Sequence, residues 1–281
     1  VYIAPQGDHY RTRMTHTLEV AQIGRTMARA LALNEDLVEA IALGHDLGHT
    51  PFGHVGEQAL QEIYGHFEHN EQSVRIAQCL ERDGQGLNLT EQVLDGMLNH
   101  CGHLKAHTLE GSLIKYADRI AYLCHDYEDA ESMGLIHVED IPSSIRRRIG
   151  TTHSSMITAM VTDVVDHSME NETDGIHMSE EGDQILLDFR KFMFTAVYMS
   201  DNLIPDRKRG NNVVQMLFKY YTEKDSQGQY FKDRLPEKQL RLAGGNVPRA
   251  AVDYISGLTD NYAINLFEDI FVPRYWTFKK Q

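Results

Sequence analysis

The stretch Asn34-Glu35-Asp36-Leu37-Val38-Glu39-Ala40-Ile41-Ala42-Leu43-Gly44-His45-Asp46-Leu47-Gly48-His49-Thr50-Pro51-Phe52-Gly53-His54-Val55-Gly56-Glu57 reads as a helix, a break and a second helix. Asn34 suits an N-cap, and Leu37, Ile41 and Leu43 recur on one side, which predicts a helix over 36–48. Thr50-Pro51-Phe52-Gly53 interrupts the pattern, and the next helix is expected from Val55 to Tyr64. His45 and Asp46 stand together at the end of the first helix. An imidazole beside a carboxylate suits a divalent transition metal. Helical neighbours diverge by about 100°, so both reach one ion only at a helix end. Gly44 and Gly48 remove side chains from the approach, and His49, four residues after His45, is expected on the same face. Taken alone, a His-Asp dipeptide also reads as a buried hydrogen-bonded pair.

The same helical period runs through most of the chain. Leu18, Ala21, Met27 and Leu31 mark a helix over 16–33, and further helices are expected over 69–82, 90–100, 108–133, 141–167, 182–200, 211–223, 235–243 and 247–268. Sustained apolar–polar alternation is scarce, so the fold class is all-α. The polar, acidic segment 168–184 reads as an exposed loop or a turn with a minor hairpin. A second break is expected over Asp201–Gly210, where Pro205 precedes the basic run Arg207-Lys208-Arg209, read as a solvated turn.

Composition narrows the function classes. The 281 residues carry 27 Lys+Arg against 41 Asp+Glu, a formal charge of −14. That balance excludes a general nucleic-acid or anionic-membrane surface, which would concentrate cations to release phosphate counterions. An apolar share of 42% supplies a core, and no apolar run approaches the roughly 18 residues needed to span a bilayer. Cys79, Cys101 and Cys124 form no CxxC pair, which fits a reducing cytoplasm. The chain starts at Val1 and not at Met, so its native N-terminus is expected to have been trimmed or to be missing, and no basic-then-apolar signal segment is expected at the start. Histidine is the anomaly: 15 in all, 12 of them within residues 1–137. The chemistry is therefore expected in the N-terminal half.

Two more residues extend the His45-Asp46 pair. His16 opens the first amphipathic helix. Asp118 sits on a stretch otherwise lined by Ile114, Ala117, Ala121 and Cys124, where an unpaired charge is expensive to bury. Arg119 would pair it at a surface; a metal would pair it inside.

The order His16, His45-Asp46, Asp118 resembles the HD-domain metal-dependent phosphohydrolases. The surrounding words resemble one family among them more specifically. Arg11-Thr12-Arg13-Met14-Thr15-His16-Thr17-Leu18-Glu19-Val20-Ala21-Gln22, the stretch from His45 to Glu57, Phe67-Glu68-His69-Asn70, Gly86-Leu87-Asn88-Leu89-Thr90, Asp118-Arg119-Ile120-Ala121-Tyr122 and Asp253-Tyr254-Ile255-Ser256-Gly257-Leu258-Thr259-Asp260 are similar to the deoxyguanosine triphosphate triphosphohydrolase (dGTPase) family, in that family's order. The segment that precedes the Arg-x-Arg-x-x-His motif in the family is expected to be missing from this chain.

The resemblance implies an HD-domain helical bundle core over 1–135 and a helical extension over 136–281 that completes the nucleotide pocket and carries oligomer contacts, the two forming one compact unit. It implies hydrolysis of a deoxynucleoside triphosphate, dGTP or a broader set, to deoxynucleoside and tripolyphosphate by water attack at the α-phosphate. The implied metal ligands are His16, His45, Asp46 and Asp118, holding a divalent ion among Mn²⁺, Fe²⁺, Co²⁺, Zn²⁺ and Mg²⁺. His54 is the implied catalytic group and Glu57 its orienting carboxylate; their spacing of three is close to one helical turn. Arg13 and Arg119 are implied phosphate contacts, with His49 and His69 beside them. Tyr122, Asp126 and Tyr254 are implied sugar contacts, Asp126 taking the 3′ hydroxyl. A homo-oligomer, a nucleotide effector, no membrane partner and a cytoplasmic location complete the expectation.

Other features read blandly. His100, His103 and His107 stand at spacings of three and four that could bind a metal, but no carboxylate or cysteine pattern completes them and an exposed loop is the expectation. His125 is open between site and packing, and Lys115 and Arg249 are weaker phosphate candidates. Met156, Met160 and Met169 read as core or loop. Two competing functions stand beside the first: an HD phosphohydrolase on a 5′-monophosphate or cyclic nucleotide, and a catalytically silent nucleotide sensor or scaffold.

Overall fold

A computed structural model describes residues 12–170, 175–201 and 203–273. Arg11, named in the first motif, and residues 171–174 of the expected acidic loop lie outside the described residues. Among the described residues there is no strand, only an isolated bridge between Lys224 and Tyr230. The all-α expectation holds. The helices are α1 (Arg13–Ala30), α2 (Glu35–Gly44), α3 (His54–Tyr64), α4 (His69–Arg75), α5 (Glu91–Asn99), α6 (Leu109–Ser132), α7 (Ser143–Ile149), α8 (His153–Glu170), α9 (Glu180–Met193), α10 (Ile204–Tyr221), α11 (Glu237–Leu242), α12 (Val247–Ser256) and α13 (Asp260–Phe271).

Chain contacts divide the structure into two compact units. One comprises the described residues up to Gly48 together with Asn70–Pro205; the other comprises His49–His69 and the described residues from Asp206 onward.

The first unit is built around α6. Leu113, Ile114, Ala117, Ile120, Ala121 and Cys124 recur at three- and four-residue spacing and are fully buried, each large side chain contributing about 1.5–3 kcal/mol by leaving water. α1, α5 and α8 pack on α6, and α2 lies against α1, α5 and α6. The caps follow the sequence: Asn34 Oδ1 accepts from the amides of Asp36 and Leu37, both at 3.1 Å, and Thr90 and Thr108 cap α5 and α6 in the same way.

The differences from expectation have local causes. α2 stops at Gly44, so the His45–His49 helical spacing does not exist, and Leu43, expected on the inner side of α2, is exposed. Leu18 of the expected α1 stripe is also exposed. The helix expected over 141–167 breaks at Gly150, whose φ of 83° is open only to a residue without Cβ strain. The helix expected over 247–268 breaks at Gly257, and Thr259 caps a new one by accepting from Tyr262 N at 3.2 Å. The basic run Arg207-Lys208-Arg209 lies within α10 and is not a turn; Pro205 takes the second helical position, where its missing N–H costs nothing. Within 168–184, Ile176 and Met178 are buried, and Ser179 starts α9 with its amide donating to Asp163 Oδ1 at 2.8 Å. Met156 and Met160 are core, while Met169 is exposed.

In the second unit, α12 packs on α3 and α11. Tyr64 meets Phe218 edge-on with ring centroids 6.0 Å apart, and Tyr221 meets Tyr254 at 5.4 Å. The connection into α3 is strained: Phe52 has φ 65° and Gly53 φ 57°. Thr50 Oγ1 donates to Gly53 O at 2.8 Å, and the Phe52 amide donates to Asp260 Oδ1 at 3.0 Å.

No helix among the described residues is long and apolar enough to cross a membrane.

Candidate functional site

In the first unit, three helices deliver the four expected ligands. His16 is on the buried side of α1, just after the Thr12 cap. His45 and Asp46 follow the last residue of α2, and Asp118 lies midway along α6. His16 Nε2 is 3.1 Å from Asp118 Oδ1 and 3.9 Å from Asp46 Oδ2. His45 Nε2 is 3.5 Å from Asp46 Oδ1 and 3.7 Å from Asp118 Oδ1. The helix end resolves the divergence problem, because His45 and Asp46 leave α2 together.

A metal ion fits these residues. His45 Nδ1 donates to Ala42 O at 2.6 Å, which turns Nε2 inward, where it is buried and makes no hydrogen bond. Two imidazoles and two carboxylates are a donor set for a borderline or hard divalent ion. Burial pushes the His45 imidazole down, yet the Asp46 charge and then Asp118 override it and hold the group up at about 9. Burial likewise pushes the Asp118 carboxyl up, but His16 and His45 hold it well below the usual carboxylate range. These are groups that would exchange protons for a divalent cation at the same atoms.

In the second unit, α3 begins with His54 and turns Glu57 inward one turn later. Glu57 is buried and takes two imidazoles: His54 Nδ1 donates to Oε2 at 2.9 Å, and His69 Nδ1 donates to Oε1 at 2.9 Å. The His69 amide also donates to Oε1, at 2.8 Å. Burial pushes the Glu57 carboxyl up, but the His54 and His69 hydrogen bonds outweigh it and hold it far below its ordinary value. With Nδ1 committed, Nε2 of His54 is the nitrogen left for chemistry, and the His54 side chain is 79% exposed. His49 stacks on His69 with ring centroids 4.4 Å apart and planes within 4°. His49 is thereby placed by ring stacking and not by a shared helix face with His45.

The remaining expected residues divide between the units. Arg13, Arg119 and Tyr122 are half-buried in the first, and burial pushes the Tyr122 hydroxyl up to about 12. Asp126 is buried there too. The Tyr198 hydroxyl donates to its Oδ2, and His125 Nε2 lies 3.2 Å from its Oδ1. His125 is buried, edge-on to His16 at 5.0 Å and with Nδ1 3.4 Å from Glu19 Oε2. Tyr254 is half-buried in the second unit. Lys115 donates to Gly102 O at 2.6 Å and ties down the 100–107 loop, and Arg249 pairs with Asp253 at 2.6 Å.

One expectation fails outright. His103 and His107 are exposed as expected, but His100 is 2% exposed and ends α5 with Nε2 4.0 Å from Asp46 Oδ1. The signal for it in the sequence is positional: His100 follows the helix that Thr90 starts, as His45 follows the helix that Asn34 starts.

Comparison with known proteins places this geometry. A family model for the HD domain matches residues 13–123, and one for the phosphohydrolase-associated domain matches residues 176–269, which makes the class an HD-domain phosphohydrolase. Deoxyguanosinetriphosphate triphosphohydrolase-like proteins are similar over nearly the whole chain. That of Caldanaerobacter subterraneus subsp. tengcongensis is 46% identical over 98% of this chain and 79% of its own length. That of Clostridium tetani is 43% identical over 98% and 80%, and one of Clostridium perfringens 40% identical over 98% and 81%. The chain belongs to the deoxyguanosinetriphosphate triphosphohydrolase-like family.

Proposed function

We propose that the protein hydrolyses deoxynucleoside triphosphates, dGTP or a broader set, to deoxynucleoside and tripolyphosphate by attack of water at the α-phosphate. The observation that carries this reading is the convergence of His16, His45, Asp46 and Asp118, with His45 Nε2 buried and turned into the cluster. The names of the relatives support the substrate class. His16, His45, Asp46 and Asp118 would hold the divalent ion, which when bound supplies an acidified water and neutralises phosphoryl charge.

The chain's own groups do the rest. Glu57 fixes the His54 ring with Nε2 outward, so that nitrogen takes or gives the proton at the reacting phosphate. Arg13 and Arg119 offer forked donors to the polyphosphate, and His49 and His69 stand as further phosphate contacts. Tyr122 and Tyr254 meet the deoxyribose. Asp126 accepts the 3′ hydroxyl in exchange for the Tyr198 hydroxyl it now holds. The protein works as a cytoplasmic homo-oligomer, with an effector nucleotide as a regulator.

The test incubates the protein with each dNTP and Mn²⁺ in ¹⁸O-water and separates the products by ion exchange. Deoxynucleoside and intact tripolyphosphate carrying the label are expected. Orthophosphate or pyrophosphate in their place rejects the reading.

A further inference from the structure

Two buried histidines end neighbouring helices in the same way. His45 follows α2 and His100 follows α5, each with helical backbone, φ −58° and ψ −39° for the first and φ −64° and ψ −25° for the second. Each turns Nδ1 back to the carbonyl three residues earlier, His45 to Ala42 O at 2.6 Å and His100 to Met97 O at 2.7 Å. A carbonyl oxygen only accepts, so each Nδ1 carries its hydrogen, and in the neutral ring Nε2 keeps the lone pair. This backbone bond is the device that orients metal-ligating histidines generally.

Both Nε2 atoms face one carboxylate oxygen. Asp46 Oδ1 is 3.5 Å from His45 Nε2 and 4.0 Å from His100 Nε2. All three ligand atoms lie within 4.8 Å of one another. Donors at about 2.1 Å from one ion stand about 3 Å apart when adjacent and about 4 Å when opposite, so the triad needs little contraction. The two rings meet edge-on at 4.9 Å.

The helix packing is shaped to bring these ends together. A Cβ on Gly44 would lie 2.7 Å from Met97 Sδ, and one on Gly96 would lie 2.4 Å from Ile41 Cδ1. Each helix thus presents a glycine to a large side chain of the other, at the turn that precedes its terminal histidine. A core histidine buried only for packing would not require the partner helix to copy its cap.

We propose that His100 is a further ligand of the metal centre, meeting a divalent ion through Nε2 beside His45 and Asp46. The inference rests on the metal-dependent reading above and extends its ligand set to three imidazoles and two carboxylates. That set favours Mn²⁺, Fe²⁺, Co²⁺ or Zn²⁺ over Mg²⁺, because imidazole is a poor ligand for the harder ion.

The test uses the full chain loaded with Mn²⁺ and reads electron spin echo modulation, which counts directly bound imidazole nitrogens. Three are expected in the wild type and two in His100→Gln, with Mn²⁺ binding weakened about 10- to 100-fold. His103→Gln, on the exposed loop, should match the wild type. Two nitrogens in the wild type, or an unchanged spectrum and affinity in His100→Gln, overturn the proposal. The wild-type count decides the question even if the variant misfolds. If the wild type binds Mn²⁺ through two imidazoles and still releases tripolyphosphate, only this inference falls. If it takes up no ion, the metal-dependent reading falls with it.

Discussion

The Phe52 amide donates to Asp260 Oδ1 at 3.0 Å, joining the turn before α3 to the first turn of α13 across 208 residues. Phe52 is a non-glycine residue at φ 65°, a conformation costing about 1–3 kcal/mol that persists only where its surroundings enforce it. Its ring is buried, and a Cβ on Gly210 would lie 3.1 Å from it. The turn so held ends at His54, so Asp260 is expected to position that imidazole. Asp260→Ala is expected to cost about 1.5–3 kcal/mol in urea denaturation and to lower kcat with bound metal unchanged. Asp260→Asn keeps an acceptor oxygen and should recover most of both. Equal losses in the two variants would show that the charge, and not the hydrogen bond, is what matters.

Glu57 and Asp46 should separate cleanly. Glu57→Ala leaves the first-unit cluster intact, so metal content stays at the wild-type level. Turnover falls about 10²- to 10⁴-fold, the usual contribution of a positioned acid–base group. Asp46→Ala removes a carboxylate that faces His16 and His45 and should lose metal and turnover together. Elemental analysis beside a tripolyphosphate assay checks both; metal loss in Glu57→Ala would refute the division of roles.

Glu57 also sets a pH dependence. Its folded pKa lies below the unfolded value, because the hydrogen bonds from His54 and His69 outweigh burial. The stability it contributes is therefore fully present above the ordinary glutamate range and is lost as pH falls below about 4.3 toward the folded value. Glu57→Gln does not titrate. Chemical denaturation from about pH 6 down to about pH 3, a window that brackets the ordinary glutamate value, should show a shallower loss in that variant than in the wild type. Parallel curves would contradict the assignment.

How far the sequence reaches differs residue by residue. The cap at Asn34, the helical stripe of α6 and the three-residue step from His54 to Glu57 are local, and each is visible in the sequence around it. The convergence of His16 with Asp118 comes from resemblance, since 102 positions separate them. His100, His103 and His107 read alike because their spacing says nothing about the α2–α5 approach that buries only the first. His49 falls beside His45 only on a continuing helix, and α2 stops at Gly44. The breaks at Gly150 and Gly257 are invisible to apolar periodicity, which runs straight across them.

The α2–α5 approach can be tested through its glycines. In Gly96→Ala the new methyl would lie 2.4 Å from Ile41 Cδ1 and 2.7 Å from Cγ1, both on a fully buried side chain, so α5 must move away from α2. Overpacking of this kind costs about 1–3 kcal/mol. Ile41→Ala alone should cost about 2–5 kcal/mol through the cavity it leaves. In the double variant the methyl added at Gly96 enters that cavity, so the combined loss should fall short of the sum by about 0.5–3 kcal/mol, the range for residues in direct contact. Mn²⁺ affinity measured on the same proteins adds a second axis. Displacing α5 carries His100 away from Asp46, so Gly96→Ala should bind Mn²⁺ more weakly, and the added Ile41→Ala should restore part of that loss. Additive stabilities would mean the two helices do not meet at Gly96 and Ile41 as closely as the structure has them.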